Sequence, residues 1–239
     1  MRIDKLLAHS GFGTRKQVRQ IIKDKLVKVN DQVIKNHGTK VDPEEDHITV
    51  SGAPVHYQEF VYFMLNKPQG VISATEDNVH ETVIDLLEPN DIVQEPHPVG
   101  RLDIDTEGLL ILTNDGQLTH HLTSPNRDVN KVYVAEIDGI VAEEDVEAFK
   151  EGVTLDDGYE AKPAILEILG TDEEESLSQI KVTITEGKYH QVKRMFQAVD
   201  KEVLSLKRMS MGSLKLDPML EVGAYRELSK EEVESLKAE

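Results

Sequence analysis

The chain has 239 residues, 38% hydrophobic and 30% charged, with a formal net charge of −18 at pH 7; this fits one large domain, or a small one and a medium one, of a soluble globular protein. The absence of cysteine excludes disulfides and thiol chemistry. The start, Met1 to Ser10, carries Arg2, Asp4 and Lys5 and does not read as a signal peptide, and no apolar run approaches a membrane span, so a cytoplasmic protein is expected.

The acidic average argues against a nucleic-acid partner, but the distribution of charge reverses that argument. Met1 to Asp42 carries ten Lys or Arg against four Asp, a net of +6, which leaves −24 for the remainder. Binding an anionic polymer needs a local basic footprint and not a basic average. In this module Ile3, Leu6 and Leu7 follow helical spacing, and Gly11-Phe12-Gly13 ends that helix. Thr14 to Gln17 fits a capping box that opens a second helix, with Val18, Ile21 and Ile22 as its buried stripe. Arg15, Lys16, Arg19 and Lys23 fall largely on its other faces. Leu26 to Asn30 and Val33-Ile34 read as short strands around an Asn30-Asp31 turn. Two short helices, the second basic, followed by small strands, resemble the S4 RNA-binding domain. The resemblance implies that Arg15, Lys16, Arg19 and Lys23 contact RNA; a solvated helix face is the competing explanation for them.

A strand at Ile48 to Val50 is followed by Ser51-Gly52-Ala53-Pro54, which reads as linker. The expected division is therefore 1–58 and 59–239. Val61 to Leu65 reads as a buried strand, Lys67 to Gly70 as its turn, Val71 to Ser73 as continuing strand and Glu81 to Leu87 as a short helix. His97 to Gly116, HPVGRLDIDTEGLLILTNDG, is the most informative stretch. Leu109 to Leu112 has strand length without a helical period, and Asn114-Asp115-Gly116 is a turn. Asp103 thus sits on a loop feeding a buried strand, held in place yet reachable, as a catalytic group must be. Asp103, Asp105 and Glu107 with Gly108 imitate the opening of a calcium loop, but the twelfth position is Asn114 instead of Glu, and a strand follows where a helix is needed. An acidic surface turn balanced by Arg101 is the structural alternative.

Gln117 to Leu122 reads as a helix. Its adjacent His120 and His121 point about 100° apart and cannot chelate one metal, so no metal site is expected. Val132 to Ile137 is a strand, and Glu143 to Lys150 a helix ended by Gly152. Ala164 to Leu169 and Ile180 to Ile184 are strands separated by the acidic tip Asp172 to Glu175. Gln191 to Val199 is a helix, Val203 to Leu216 two strands broken at Met211-Gly212, and Ser229 to Glu232 a capping box before a last helix. Strands outnumber helices after residue 58 without alternating with them, which predicts an α+β fold with a mixed, mainly antiparallel sheet flanked by helices.

Four ordered segments carry a family resemblance. They are Tyr62 to Gly70 (YFMLNKPQG), Gly100 to Gly116 (GRLDIDTEGLLILTNDG), Lys131-Val132-Tyr133, and Glu186 to Met195 (EGKYHQVKRM). Together they resemble the RNA pseudouridine synthases, in particular the RsuA branch that modifies ribosomal RNA and carries an N-terminal S4 domain. The resemblance covers nearly the whole chain and implies a long cleft across the sheet that holds RNA. It also implies Asp103 as nucleophile, Lys193 as the cation paired with it, and Tyr133 as the aromatic residue that stacks on the flipped base. Arg101 would fill the gap left by the extruded nucleotide, while Arg194 and Lys131 would bind substrate. Asp105 and Glu107 match the motif as positioning groups. The reaction has no redox step and loses no atom, so no cofactor is expected. The implied partner is small-subunit ribosomal RNA or its assembly intermediates, with no membrane and a monomeric state. A non-catalytic RNA-binding or ribosome-assembly factor on the same fold is the alternative, against which the intact Asp103, Tyr133 and Lys193 set speaks.

Overall fold

Helices α1 (Ile3–His9) and α2 (Arg15–Lys23) each bury one apolar stripe. The Thr14 hydroxyl accepts from the Gln17 amide, and the Gln17 side chain accepts in turn from the Thr14 amide, so two of the orphan donors at the start of α2 are satisfied. The stripes close over β1 (Val27–Val29), β2 (Gln32–Val33), β3 (Ile48–Val50) and β4 (Ala53–Pro54), which form an antiparallel sheet in the order β2-β1-β3-β4. Ile3, Leu6, Leu7, Val18, Ile22 and Val27 are the centre of this core. Asn30 and Asp31 both take positive φ, the backbone that a two-residue hairpin between right-twisted strands requires. Ser51 and Gly52 do the same between β3 and β4. Ser51 to Pro54 is therefore an edge hairpin and not the linker that its composition suggests.

The computed structural model describes residues 1–239. The chain divides into two compact units, Met1–Val61 with Glu88–Pro96, and Tyr62–Leu87 with His97–Glu239. The first unit also holds a single helical turn, α3 (Pro89–Ile92). No helix is long and apolar enough to cross a membrane.

The second unit contains β5 (Tyr62–Lys67), β6 (His97–Pro98), β7 (Glu107–Thr113), α4 (Gly116–Thr123), β8 (Lys131–Asp138), α5 (Glu143–Glu151), β9 (Ile165–Asp172), β10 (Leu177–Ile184), α6 (Gln191–Gln197), β11 (Glu202–Met211), β12 (Leu214–Lys215), β13 (Tyr225–Glu227) and α7 (Lys230–Lys237). Its sheet runs β13-β5-β7-β11-β8-β10-β9, with β12 on β11 and β6 on β7. All pairings are antiparallel except β7 with β11, so the sheet is mixed and mainly antiparallel. Gly108 permits the parallel contact. Its φ is +101°, and a Cβ there would lie 2.3 Å from the Arg208 carbonyl oxygen, so only glycine lets the two backbones meet.

Two expected elements are absent. Val71 to Ser73 contributes only a bridge between Ile72 and Thr82, because the Ser73 side chain is turned to Leu102. Glu81 to Leu87 forms consecutive turns instead of a helix: Val83 is tied to the Ile72 carbonyl, and the Asp85 carboxylate accepts from the Thr82 amide and hydroxyl.

Candidate active site

The loop between β6 and β7 carries Asp103, and three separate clamps hold its backbone. The fully buried Lys67, at the end of β5, donates to the carbonyls of Pro68 (2.9 Å), Asp103 (3.0 Å) and Thr106 (2.9 Å). The Ser73 hydroxyl donates to the Leu102 carbonyl at 2.9 Å and accepts from its amide at 3.0 Å. The Gly70 amide donates to the Ile104 carbonyl at 2.8 Å. Burial depresses the Lys67 pKa from 10.5 to about 8, and the nearby charges of Asp105, Asp103 and Glu107 offset part of that shift.

Asp103 opens into a cleft in the second unit, lined also by Arg101, Tyr133, Lys188, His190 and Lys193. Lys193, on α6, lies 3.4 Å from one Asp103 oxygen and 2.6 Å from Asp105. Burial pulls the Lys193 pKa down, but the hydrogen bond to Asp105 and the charges of both acids outweigh it and raise the pKa. The hydrogen bond from Lys193 in turn lowers the pKa of Asp105. The other Asp103 oxygen lies 3.6 Å from His190 Nε2. His190 takes a left-handed backbone (φ 49°) just before α6, and its ring stacks on Tyr189 at 3.7 Å between centroids. A left-handed non-glycine residue is uncommon enough to mark a constrained position.

Glu186, nearly buried, organises the turn before α6. Its carboxylate accepts from the Tyr159 hydroxyl, the Lys162 amide and the Gln191 side chain, and Gln191 accepts from the Lys188 amide. Burial raises the Glu186 pKa, but these bonds together outweigh it and keep the pKa below the usual value.

The geometry thus brings Asp103, Tyr133, Lys193 and Arg101 to one cleft. It does not bring Lys131 or Arg194 there. Lys131 is buried at the start of β8 with its ammonium on the Thr185 carbonyl. The Arg194 guanidinium is held by Asp156 (2.5 Å) and Asp157 (2.7 Å). An arginine already paired to two carboxylates is a poor phosphate receptor, so the expectation of direct substrate contact is withdrawn for both residues. Lys67 and His190 were not singled out by the sequence, although both lie in the quoted motifs. A lysine ending a buried strand, and a histidine immediately before a helix, were the available signals. In the first unit Arg15, Lys16, Arg19 and Lys23 are all exposed. Arg19 leans on the buried Asp4 at 3.7 Å, while Arg15, Lys16 and Lys23 have no carboxylate within ion-pair distance.

A mixed sheet holds a clamped acid, a paired lysine and a tyrosine in one cleft and follows a small basic module, and comparison with known proteins gives the class of enzyme to which this arrangement belongs. The sequence model of the RNA pseudouridylate synthase family matches residues 61–198, and that of the S4 domain matches residues 1–48. The chain belongs to the RNA pseudouridylate synthase family. It is 50% identical over 236 residues to the uncharacterised RNA pseudouridine synthase YtzG of Bacillus subtilis, which spans 99% of this chain and 98% of that protein. It is 41% identical over 237 residues to the ribosomal large subunit pseudouridine synthase B of the same organism, spanning 99% of this chain and 96% of that protein. Identity to the ribosomal small subunit pseudouridine synthase A of Escherichia coli is 39% over 238 residues, 99% of this chain and all of that protein. A crystal structure of a pseudouridylate synthase superposes with a TM-score of 0.68 at 37% identity, covering 99% of both chains.

Proposed function

We propose that this enzyme isomerises one uridine of small-subunit ribosomal RNA to pseudouridine, acting as a monomer on that RNA or its assembly intermediates in the cytoplasm. The observation that carries the chemistry is the position of Asp103: Lys67 holds its carbonyl, Ser73 holds the preceding Leu102, and its carboxylate faces Lys193, which it shares with Asp105. A carboxylate so held can attack the ribose C1′ or stabilise positive charge there while the bond to N1 breaks. Uracil leaves as an anion that stays bound, so a second acid is not required. Tyr133 stacks on the base once it is flipped from the RNA, and Arg101 at the cleft edge fills the space it vacates. The choice of the small subunit rests on the resemblance of the FMLNKPQG, GRLDIDTEGLL and EGKYHQVKRMF segments to the RsuA branch. The test is to incubate the purified enzyme with separate small- and large-subunit RNA transcripts and map pseudouridine. A single new site in the small-subunit RNA is expected; modification confined to the large-subunit RNA would overturn the choice of subunit.

RNA is held in part by the exposed face of α2. Replacing Lys16 and Arg19 together by Glu should weaken RNA binding and lower the salt slope by about one unit for each phosphate that is no longer neutralised. Lys16 should account for the larger share, since Arg19 already faces Asp4. Titrations at several salt concentrations check this, and an unchanged affinity and slope would take this face off the RNA.

A further inference from the structure

Two buried cations beside the cleft are used by none of these steps. Lys131 on β8 is 7% exposed and Arg208 on β11 is 3% exposed. Arg208 is the register partner of Tyr133, and directly paired residues share one face of a sheet. Lys131 lies two residues before Tyr133 and opposite Ile184, so it shares that face too. Tyr133, Ile184 and Leu206, which stands two residues before Arg208, all line the cleft. Neither cation has a carboxylate within ion-pair distance. Lys131 donates only to the Thr185 carbonyl at 3.2 Å, and Arg208 Nε donates to the Leu109 carbonyl at 2.8 Å. One terminal nitrogen of the Arg208 guanidinium is buried with no partner at all. The charged groups around Lys131 are Arg208, Asp128 and Lys162, and Asp128 is itself paired to Lys162 at 2.6 Å.

Uncompensated buried charge is costly to a fold, and its retention points to a use. We infer that Lys131 and Arg208, lying beside Tyr133 on one face of the sheet without counter-ions, supply the positive potential that stabilises the detached uracil anion during isomerisation. The inference rests on the pseudouridine-forming reading of the Asp103 cleft. When the C1′–N1 bond breaks, its electron pair goes to the uracil while Asp103 meets C1′. The ring turns, C5 bonds to C1′ as Asp103 is released, the C5 proton leaves and N1 takes one up, so the product is an isomer of the substrate. Negative charge is on the base only between bond breaking and bond making. A fixed potential in a water-poor site therefore acts on the transition state and hardly on the neutral ground state. The cleft's own acids, Asp103 and Asp105, share Lys193 and lie near the charge of Lys67, and neither pairs with Lys131 or Arg208, which leaves those two cations to act on the base.

The experiment compares Lys131→Met, Arg208→Met and Lys131→Arg with wild type in single-turnover kinetics and thermal melts. Each Met variant should lower the rate by about tenfold or more, with KM for RNA almost unchanged. Both should melt close to wild type, because removing a buried ion without a counter-ion offsets the one carbonyl bond that each variant loses, to Thr185 or to Leu109. Burial and the Arg208 charge lower the Lys131 pKa to about 8, so the wild-type rate should fall above that pH. Lys131→Arg, which does not titrate there, should fall less. Lys67 titrates in the same range, so the readout is the difference between the two profiles. Wild-type rates in both Met variants, a rate loss matched by a drop in melting temperature, or a rise in KM alone would each overturn the inference. If a Met variant does not fold, identical pH profiles for wild type and Lys131→Arg would overturn it. An active Asp103→Asn enzyme would instead overturn the reading beneath it.

Discussion

Asp103→Asn is expected to abolish pseudouridine formation, with a fall of about 10⁴-fold or more in rate, the scale on which loss of a nucleophile registers. RNA affinity and melting temperature should change little, since Asn matches Asp in size and the loop is held through backbone groups by Lys67 and Ser73. Asp105→Asn should keep measurable activity, within about a hundredfold of wild type, as expected for a positioning group. In that variant Lys193 loses its nearest partner, at 2.6 Å, and retains Asp103, at 3.4 Å. Both acids lie on one loop, so the contrast between them is the informative quantity. Equal losses would mean that the substitutions damage the loop and not one nucleophile.

Lys67→Met should be the most destabilising single change near the cleft. It removes the donor from the carbonyls of Pro68, Asp103 and Thr106, the last two within the Asp103 loop itself. Leaving buried acceptors unpaired costs about 1–3 kcal/mol each, so a loss of roughly 3 kcal/mol is expected after some relaxation. Activity should fall with it because the Asp103 loop loses its anchor. The pH dependence has a definite sign. Folding lowers the Lys67 pKa from 10.5 to about 8; between those values the unfolded chain holds the proton more tightly than the folded one. Stability from this group therefore rises with pH across that window. Denaturant unfolding at pH 7.5 and pH 10 should show the gap between wild type and Lys67→Met widening at the higher pH. A constant gap would mean that Lys67 keeps its ordinary pKa in the fold.

Much of the local structure was readable because its causes are local. Thr14 with Gln17 and Ser229 with Glu232 announce helix starts through hydrogen bonds spanning three residues, and both capping boxes form. The Asn30-Asp31 hairpin and the acidic tip between β9 and β10 follow from turn chemistry in the same way. The errors came where distant partners decide. Glu81 to Leu87 carries a helical pattern, but the tie of Val83 to Ile72 holds it in turns. β13 pairs with β5 across more than 150 residues of chain, which no local pattern reveals. The loop carrying Asp103 was legible from the strand after it and the turn beyond, and the family motifs named Tyr133 and Lys193. The surroundings of that loop were not legible. Lys67, Ser73 and His190 reach Asp103 or its loop from other segments, and only the assembled sheet sets those distances. Lys131 and Arg194 show the converse limit: a basic residue in a motif looks the same in sequence whether it faces substrate, a carbonyl or two aspartates.

The most direct test of the central claim is to map pseudouridine in ribosomal RNA from cells whose only copy of this enzyme carries Asp103→Asn. One uridine of the small-subunit RNA should lose its modification, with the variant protein present at normal levels. Complete modification of every ribosomal RNA site in those cells would contradict the account.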